Sequence, residues 1–124
     1  MKKGFYISIV LSIVIGFILA ACGPSTPPEP QGDPAAGKIK YEGTCIACHG
    51  VDLKGMPGLG KDLTTSEFVK SKSNTEMVEF IKTGRPASDP LNTTKVDMPP
   101  KGGNPALTDE DILNIVAYVR SKQQ

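Results

Sequence analysis

The residues best suited to chemistry stand in one short run. Cys45 and Cys48 are separated by two residues, and His49 follows directly, in the sequence C-I-A-C-H. Cysteines at this spacing on a helical segment project to one side, where both thiols can add to the two vinyl groups of a haem. The motif therefore predicts one covalently attached haem c, with Cys45 and Cys48 as thioethers and His49 as a ligand of the iron.

Other chemistries of a C-x-x-C pair fit this chain less well. A structural zinc site needs four Cys or His ligands, whereas the chain has three cysteines and one histidine, and Cys22 lies far from the motif. A thioredoxin-like redox pair needs a βαβ context, and no segment shows strand alternation. A Cys45 to Cys48 disulfide in a nonhaem interaction module is a further alternative, but it leaves the domain short of a core.

The second axial position of the iron cannot be filled by histidine, because His49 is the only one. Methionine is the natural candidate. Met1 would leave with the amino-terminal segment, Met77 lies in an apolar helical stripe, and Met56 would have to round the edge of the macrocycle within a span of at most about 25 Å. Met98 is the strongest candidate, because two prolines follow it and stiffen its backbone. The alternative is that Met98 only fills a gap in a loop.

Composition limits the kind of protein this can be. The chain has 124 residues and a formal net charge of +1. Apolar residues are concentrated in the first 21 positions, and the remainder is about one third apolar and about one fifth Gly or Pro. Such a remainder buries little apolar surface, so it needs a disulfide, a metal or a cofactor. The composition excludes a large multidomain enzyme, and the lack of a basic patch excludes nucleic acid as a partner.

The amino terminus has the pattern of an export signal. Lys2 and Lys3 precede a nearly unbroken apolar run over residues 5–21. The run ends in L-A-A-C-G, which resembles a bacterial lipoprotein signal, in which Cys22 would be acylated and become the first residue. We predict a signal peptide over residues 1–21, a Pro-rich tether lipid-anchored at Cys22 over 22–32, and the domain over 33–124. The alternatives are an uncleaved membrane helix and a buried or disulfide-bonded Cys22.

The lipid anchor at Cys22 and the uncleaved membrane helix both predict that the domain is exported and lies on the outer face of the cytoplasmic membrane. The segment after Cys22 holds four prolines in ten residues, G-P-S-T-P-P-E-P-Q-G, which favours an extended chain. Fully extended, it would reach about 30 Å. We therefore expect a domain held near the membrane but able to swing above it.

Three helix starts can be recognised in the domain. Asp33 and Pro34 form an N-cap and a first helical position, which predicts a helix to about position 45 or 48. Ser73 and Glu76 have capping-box spacing before a second apolar stripe, and Thr108 precedes an acidic first turn before a third. A short helix over residues 66–70 is also possible. Residues 84–107 hold five prolines without periodicity, so this long segment must be organised by something outside itself.

Taken together, these residues resemble the small class I c-type cytochromes over about residues 33–122. The resemblance is carried by D-P at the first helix start, by Gly37 and Tyr41 ahead of C-I-A-C-H, and by M-P-P-K-G-G-N-P-A-L-T-D-E-D-I with A-Y-V near the end. It implies an all-α cytochrome c fold with three to four helices around one haem. It also implies that the first and last helices cross where Gly37 and Tyr41 meet Ile115 and Tyr118.

The resemblance further implies that a backbone carbonyl orients the ring of His49. Members of the family use a proline followed two residues later by leucine. Here Pro57-Gly58-Leu59 fits those residue types, while Lys61-Asp62-Leu63 fits a longer spacing without the proline. The sequence leaves this choice open.

Filled axial positions on both sides of the iron predict single-electron exchange. With His49 and Met98 as ligands, the expected function is that of a membrane-anchored monohaem cytochrome c between respiratory or photosynthetic complexes, as a shuttle or a subunit. Expected partners are a quinol-oxidising donor, a terminal oxidase or other acceptor, and membrane lipid through Cys22. The alternative is a five-coordinate haem protein, peroxidase-like or gas-sensing, in which Met98 does not bind iron.

Overall fold

The computed structural model describes residues 27–124, so the predicted signal peptide and Cys22 lie outside the described residues. Its elements in chain order are α1 (Pro34–Thr44), α2 (Ile46–His49), α3 (Glu67–Ser71), α4 (Asn74–Thr83), a 3-10 helix (Pro100–Gly103) and α5 (Asp109–Arg120). Between residues 27 and 124 there is no strand, only one isolated bridge. The predicted all-α fold is confirmed, with five α-helices among the described residues 27–124 instead of three to four around the haem.

The additional helices have local causes. Asp33 caps α1 by accepting a 2.8 Å hydrogen bond from the Ala35 amide, and Pro34 takes the first helical position, as predicted. The predicted single helix is interrupted at Cys45, which ends α1 as its C-cap while its backbone stays in the right-handed helical region (φ −102°, ψ −21°), and one further turn forms α2. The short α3 forms where the sequence allows a helix, with Ser66 as its N-cap.

Reciprocal side-chain caps begin α4 and α5, as the sequence predicts. The Ser73 hydroxyl accepts from the Glu76 amide at 3.1 Å, and the Glu76 carboxylate accepts from the Ser73 amide at 2.8 Å. Thr108 and Asp111 form the same pair of bonds at the start of α5, both at 3.1 Å. These bonds satisfy amides that have no partner within the helix.

Close crossing of α1 and α5 organises the body of the protein. A Cβ atom at Gly37 would lie 1.8 Å from the carbonyl oxygen of Asn114, so only glycine allows the two backbones to approach this closely. One turn further along α1, the buried Tyr41 ring lies 5.4 Å from that of Tyr118, inclined at 60°. The predicted crossing of the first and last helices is confirmed.

The core lies between α1, α4 and α5. Its buried apolar side chains include Tyr41, Met77, Ile81, Ile112 and Val116. Cys45 and Met98 are both among the half-buried side chains that pack against this core. None of the helices within residues 27–124 is long and apolar enough to cross a bilayer.

Residues ahead of α1 also contact the body. The carboxylate of Glu29 accepts a hydrogen bond from the Asn74 amide, and the Asn74 side-chain amide donates to the carbonyl of Pro30 at 3.0 Å. The Asp33 amide donates to the Asn114 side chain at 2.7 Å. The last residues of the segment predicted as a tether therefore lie against α4 and α5.

Candidate haem site

The break between α1 and α2 places the three residues of the C-I-A-C-H motif on one tight turn. The carbonyl of Cys45 accepts from the amide of Cys48 at 3.3 Å and from that of His49 at 2.9 Å. Cys45 and Cys48 are both free thiols of intermediate burial. Both can therefore bond to a group that approaches from the open side of this turn.

Burial keeps the free Cys45 thiol protonated. It raises the pKa of Cys45 to about 11, with a further contribution from the nearby Cys48. At neutral pH the free side chain is therefore a neutral thiol. Across residues 27–124, no group of three or more His, Cys, Asp or Glu side chains is arranged to hold a metal ion.

A single backbone carbonyl orients the ring of His49. Nδ1 of His49 lies 3.0 Å from the carbonyl oxygen of Lys61. Because a carbonyl can only accept, Nδ1 must carry the proton and donate, which leaves Nε2 as the free lone pair for a metal. The sequence left two candidates for the carbonyl that accepts from the His49 ring, Pro57 and Lys61. In the structure this carbonyl belongs to Lys61.

The chain after His49 folds back to hold this carbonyl in place. The Gly55 amide donates to the carbonyl of His49 at 2.8 Å, and the Met56 amide donates to that of Cys48 at 2.9 Å. Further along, the Leu63 amide donates to the Leu53 carbonyl at 2.7 Å. The backbone of Met56 is thus tied to the motif, while its side chain is 45% exposed.

Met98 belongs to a different, independently fixed segment. Its amide donates to the Arg85 carbonyl at 2.9 Å, and its own carbonyl accepts from the Arg85 amide at 2.8 Å. This bridge requires glycine at position 84. The backbone of Gly84 has a φ of +73°, and a Cβ atom there would lie 2.2 Å from the carbonyl oxygen of Met98. The Met98 side chain is half-buried against the core, whereas Met77 is buried within it, as predicted.

The segment that follows Met98 returns to the end of α1 that carries the motif. The side-chain amide of Asn104 donates to the Thr44 hydroxyl at 3.4 Å. A Cβ at Gly102 would lie 2.9 Å from the Thr44 methyl group, so the two segments are in direct contact. Since Thr44 precedes Cys45, tertiary packing brings the Met98 segment beside the C-I-A-C-H turn.

Directly after α4, Arg85 could by its position in the sequence either pair with a haem propionate or remain exposed to solvent, and the structure leaves its side chain only 18% exposed. Its guanidinium packs against both rings of the contacting pair Phe68 and Phe80, 4.6 Å and 4.8 Å from their centroids. Its Nε is buried and forms an ion pair with the Asp89 carboxylate at 3.5 Å, but makes no hydrogen bond within residues 27–124. Nη1 donates to the carbonyl of Leu91 at 3.5 Å. The charge of Arg85 is thus balanced by Asp89, and only the hydrogen-bonding capacity of Nε remains for an acidic ligand group.

The donor set and its surroundings fit a haem. Two free thiols at C-x-x-C spacing would match the vinyl groups, and an imidazole with a free Nε2 and a soft thioether would match the two positions for iron ligands. The Nε of Arg85, which makes no hydrogen bond in the described part of the chain, would be available to donate to a carboxylate such as a haem propionate.

Comparisons with known proteins agree with this geometry. The family model for cytochrome c matches residues 34–123. The chain is 36% identical over 87 residues to cytochrome c-555 of Chlorobaculum thiosulfatiphilum, which covers 70% of this chain and 93% of that protein. It is 37% identical over 100 residues to cytochrome c-554(548) of Halomonas halodenitrificans, covering 74% of this chain and 99% of the relative.

A more distant similarity concerns a larger protein. Subunit CcoP of the cbb3-type cytochrome c oxidase of Rhodobacter capsulatus is 27% identical over 109 residues, which is 87% of this chain and 34% of that subunit. The family match and the full-length relatives decide the assignment, and they favour an electron carrier over a haem enzyme or gas sensor. The chain belongs to the class I c-type cytochromes and is a monohaem electron carrier with covalently bound haem c.

Proposed function

We propose that Cys45 and Cys48 attach the haem, that His49 and Met98 are its axial ligands, and that the protein carries single electrons between membrane complexes as a lipid-anchored cytochrome. The observation that carries this proposal is that each ligand has its own backbone anchor. His49 is oriented by the Lys61 carbonyl, and Met98 is fixed by its bridge to Arg85. These two contacts would hold both side chains in position to bind one iron.

This ligand set favours electron transfer over bond chemistry. The haem supplies a reversible one-electron change of the iron, and a thioether ligand stabilises the ferrous state. With His49 and Met98 in place, no open position remains for oxygen, peroxide or a substrate. The backbone anchors of His49 and Met98 would hold both side chains in place in either oxidation state of a bound iron.

An exposed apolar surface beside the motif supports brief contacts with redox partners. We name Ile46, Met56 and Leu59 the apolar edge; their side chains are 38%, 45% and 38% exposed. Ile46 lies between Cys45 and Cys48, and the backbone of Met56 is bonded to Cys48. A small apolar contact of this kind suits weak, rapidly exchanging complexes.

Membrane attachment through Cys22 would keep this surface near its partners. Because residues 29–33 lie against the body, at most six residues would separate the anchor from it, a reach of at most about 19 Å at about 3.1 Å per residue. We propose a quinol-oxidising donor and a terminal oxidase or other acceptor. The similarity to CcoP, a subunit named for a cytochrome c oxidase, supports the oxidase. Residues 1–21 would be the signal peptide, so export to the outer face of the cytoplasmic membrane is part of the proposal.

The ligands are tested by absorbance of the purified holoprotein and of Met98→Ala. We expect the oxidised protein to show the weak far-red band of a thioether bound to ferric iron, and Met98→Ala to lose it. Met56→Ala is the matched control and should keep the band. Rapid carbon monoxide binding by the untreated reduced protein would instead indicate a five-coordinate haem and contradict the proposed ligand set.

The anchor is tested by membrane fractionation of the wild type and of Cys22→Ser in the native host. Wild type should remain with membranes after a high-salt wash and carry acyl chains, because two or more chains anchor a protein stably. Cys22→Ser should lose the acyl label. A wild type that is released by salt and carries no lipid would overturn this part of the proposal. Co-purification in mild detergent then separates a fixed subunit from a free shuttle.

A further inference from the structure

We infer that Lys101 is a positioning residue for Met98, and that its ammonium group sets how firmly the thioether is held at the iron. This inference rests on the proposed role of Met98 as an axial ligand. It concerns a side chain three residues beyond that methionine, in the 3-10 helix that connects it to the segment before α5.

The first observation is the bonding of the ammonium group. Nζ of Lys101 donates to the carbonyl of Leu107 at 2.7 Å and lies 3.4 Å from the carbonyl of Pro105. Leu107 is 3% exposed and is part of the core. The side chain of Lys101 therefore ties the segment carrying Met98 to a buried part of the chain.

The second observation is the backbone at Lys101. Its φ of 53° and ψ of 28° lie in the left-handed region, which L side chains adopt at a cost. Glycine would adopt this conformation more easily, yet a lysine occupies the position. The bonds from Nζ offset this cost and give the lysine side chain a function that glycine could not supply.

Lys95 provides an internal comparison. It lies three residues before Met98, and its φ of 58° is also left-handed. Within residues 27–124, however, its ammonium group makes no hydrogen bond or ion pair, and the residue is exposed. The two lysines thus have the same side chain, similar backbone geometry and the same separation from Met98, but only Lys101 is tied to the core.

These contacts determine what the loss of the Lys101 ammonium would change. The backbone bridge between Met98 and Arg85 would remain. After Met98, the turn closed by the Gly102 amide and the Pro99 carbonyl at 3.0 Å would lose its attachment to Leu107. The thioether would then leave the iron more easily, without general loss of the fold.

The experiment compares holoproteins of wild type, Lys101→Met, Lys101→Arg and the matched control Lys95→Met. The readouts are the far-red band of the oxidised protein and its affinity for added imidazole, which must displace the thioether. Because a hydrogen bond from a charged donor changes an equilibrium constant by about tenfold or more, we expect Lys101→Met to bind imidazole about tenfold more tightly. Lys101→Arg, which keeps a charged donor, should restore most of the wild-type value, and Lys95→Met should not differ from wild type.

The outcomes separate this inference from the function on which it rests. A wild type without the far-red band would refute Met98 as a ligand and, with it, the role of Lys101. A wild type with the band, together with equal imidazole affinities for Lys101→Met and Lys95→Met, would refute the inference alone. If Lys101→Met does not retain haem, Lys101→Gln, which keeps a neutral donor, should show a smaller increase of a few-fold. No increase in Lys101→Gln would then overturn the inference.

Discussion

Nδ1 of His49 donates to the carbonyl oxygen of Lys61 across 3.0 Å. The side chain of the next residue, Asp62, stabilises the turn that contains this carbonyl. Oδ1 of Asp62 accepts from the amide and hydroxyl of Thr64, at 2.6 Å and 2.7 Å. Replacing Asp62 by Ala should loosen the turn and weaken the bond to His49. A ring that donates a weaker hydrogen bond is a poorer electron donor to iron, so the reduction potential should rise.

The matched control for this change is Asp62→Asn, which removes the charge but keeps an oxygen able to accept in the turn. We expect the potential of Asp62→Ala to lie about 30 mV above that of Asp62→Asn, half of the ~59 mV that corresponds to a tenfold change in a one-electron equilibrium. Redox titration of the two holoproteins measures the difference. Equal potentials would show that the turn does not act on the iron through His49.

Gly37→Ala should strongly destabilise the protein, because the new Cβ would overlap the Asn114 carbonyl and push α5 away from α1. We expect a loss of about 3 kcal/mol in the free energy of unfolding, at the upper end of the usual cost of overpacking. Gly43→Ala is the control in the same helix, since nothing lies within 4 Å of its added methyl group. It should be neutral or stabilising by up to about 1 kcal/mol. Urea unfolding distinguishes the two, and similar effects would contradict the close crossing.

Tyr41→Phe should lose the 2.7 Å hydrogen bond from the buried Tyr41 hydroxyl to the Gly50 carbonyl. Burial, with smaller contributions from nearby groups led by Cys45, raises the pKa of Tyr41 well above its usual range, so the hydroxyl is protonated and can donate at neutral pH. The Gly50 carbonyl would be left without this donor, at a cost of about 1–2 kcal/mol. Thermal unfolding should show no comparable loss for Tyr118→Phe, whose hydroxyl makes no hydrogen bond within residues 27–124.

Stability should fall at acid pH as two capping carboxylates are protonated. Hydrogen bonds from the Ser73 amide and the Lys72 side chain lower the pKa of Glu76, and those from the Thr108 amide and Lys40 lower that of Asp111. A carboxyl whose pKa is lower in the folded state stabilises the protein above its unfolded pKa. That contribution is lost as the pH falls below about 4 and through the folded values.

Urea midpoints measured from pH 7 to pH 3 test this prediction. The double variant Glu76→Gln, Asp111→Asn should be less stable at neutral pH but lose less stability on acidification than wild type. Glu110→Gln is the control, because Glu110 makes no ion pair or side-chain hydrogen bond in the described part of the chain. If the urea midpoints of wild type and the double variant fall in parallel, these carboxylates do not determine the loss of stability at acid pH.

Without haem, the domain should not hold a cooperative fold. The double variant Cys45→Ala, Cys48→Ala removes both attachment points, and the remaining apolar surface is small for a domain of this size. Far-UV circular dichroism should show a broad, non-cooperative thermal transition, against a sharp one for the holoprotein. A sharp transition in the haem-free chain would show that the helices pack stably without it.

The sequence by itself determined the features that depend on neighbouring residues. The C-x-x-C-H spacing, the caps at Asp33, Ser73 and Thr108, and the all-α pattern are local relationships, since each involves groups within a turn or two of the chain. The structure confirms the caps and the fold class. Local rules also allowed a helix to continue past Cys45, and the break there was not visible in the residue types.

Only the tertiary structure decided which distant groups meet. Pro57 and Lys61 were both acceptable partners for His49 by residue type or spacing, and the folded-back loop brings the Lys61 carbonyl to Nδ1. The bridge between Met98 and Arg85 and the bond from Lys101 to Leu107 likewise join positions with no periodic relationship. Such contacts depend on how loops rich in glycine and proline close over the helices. Their backbone angles are set by packing, because the sequence of an irregular loop permits many conformations of similar energy.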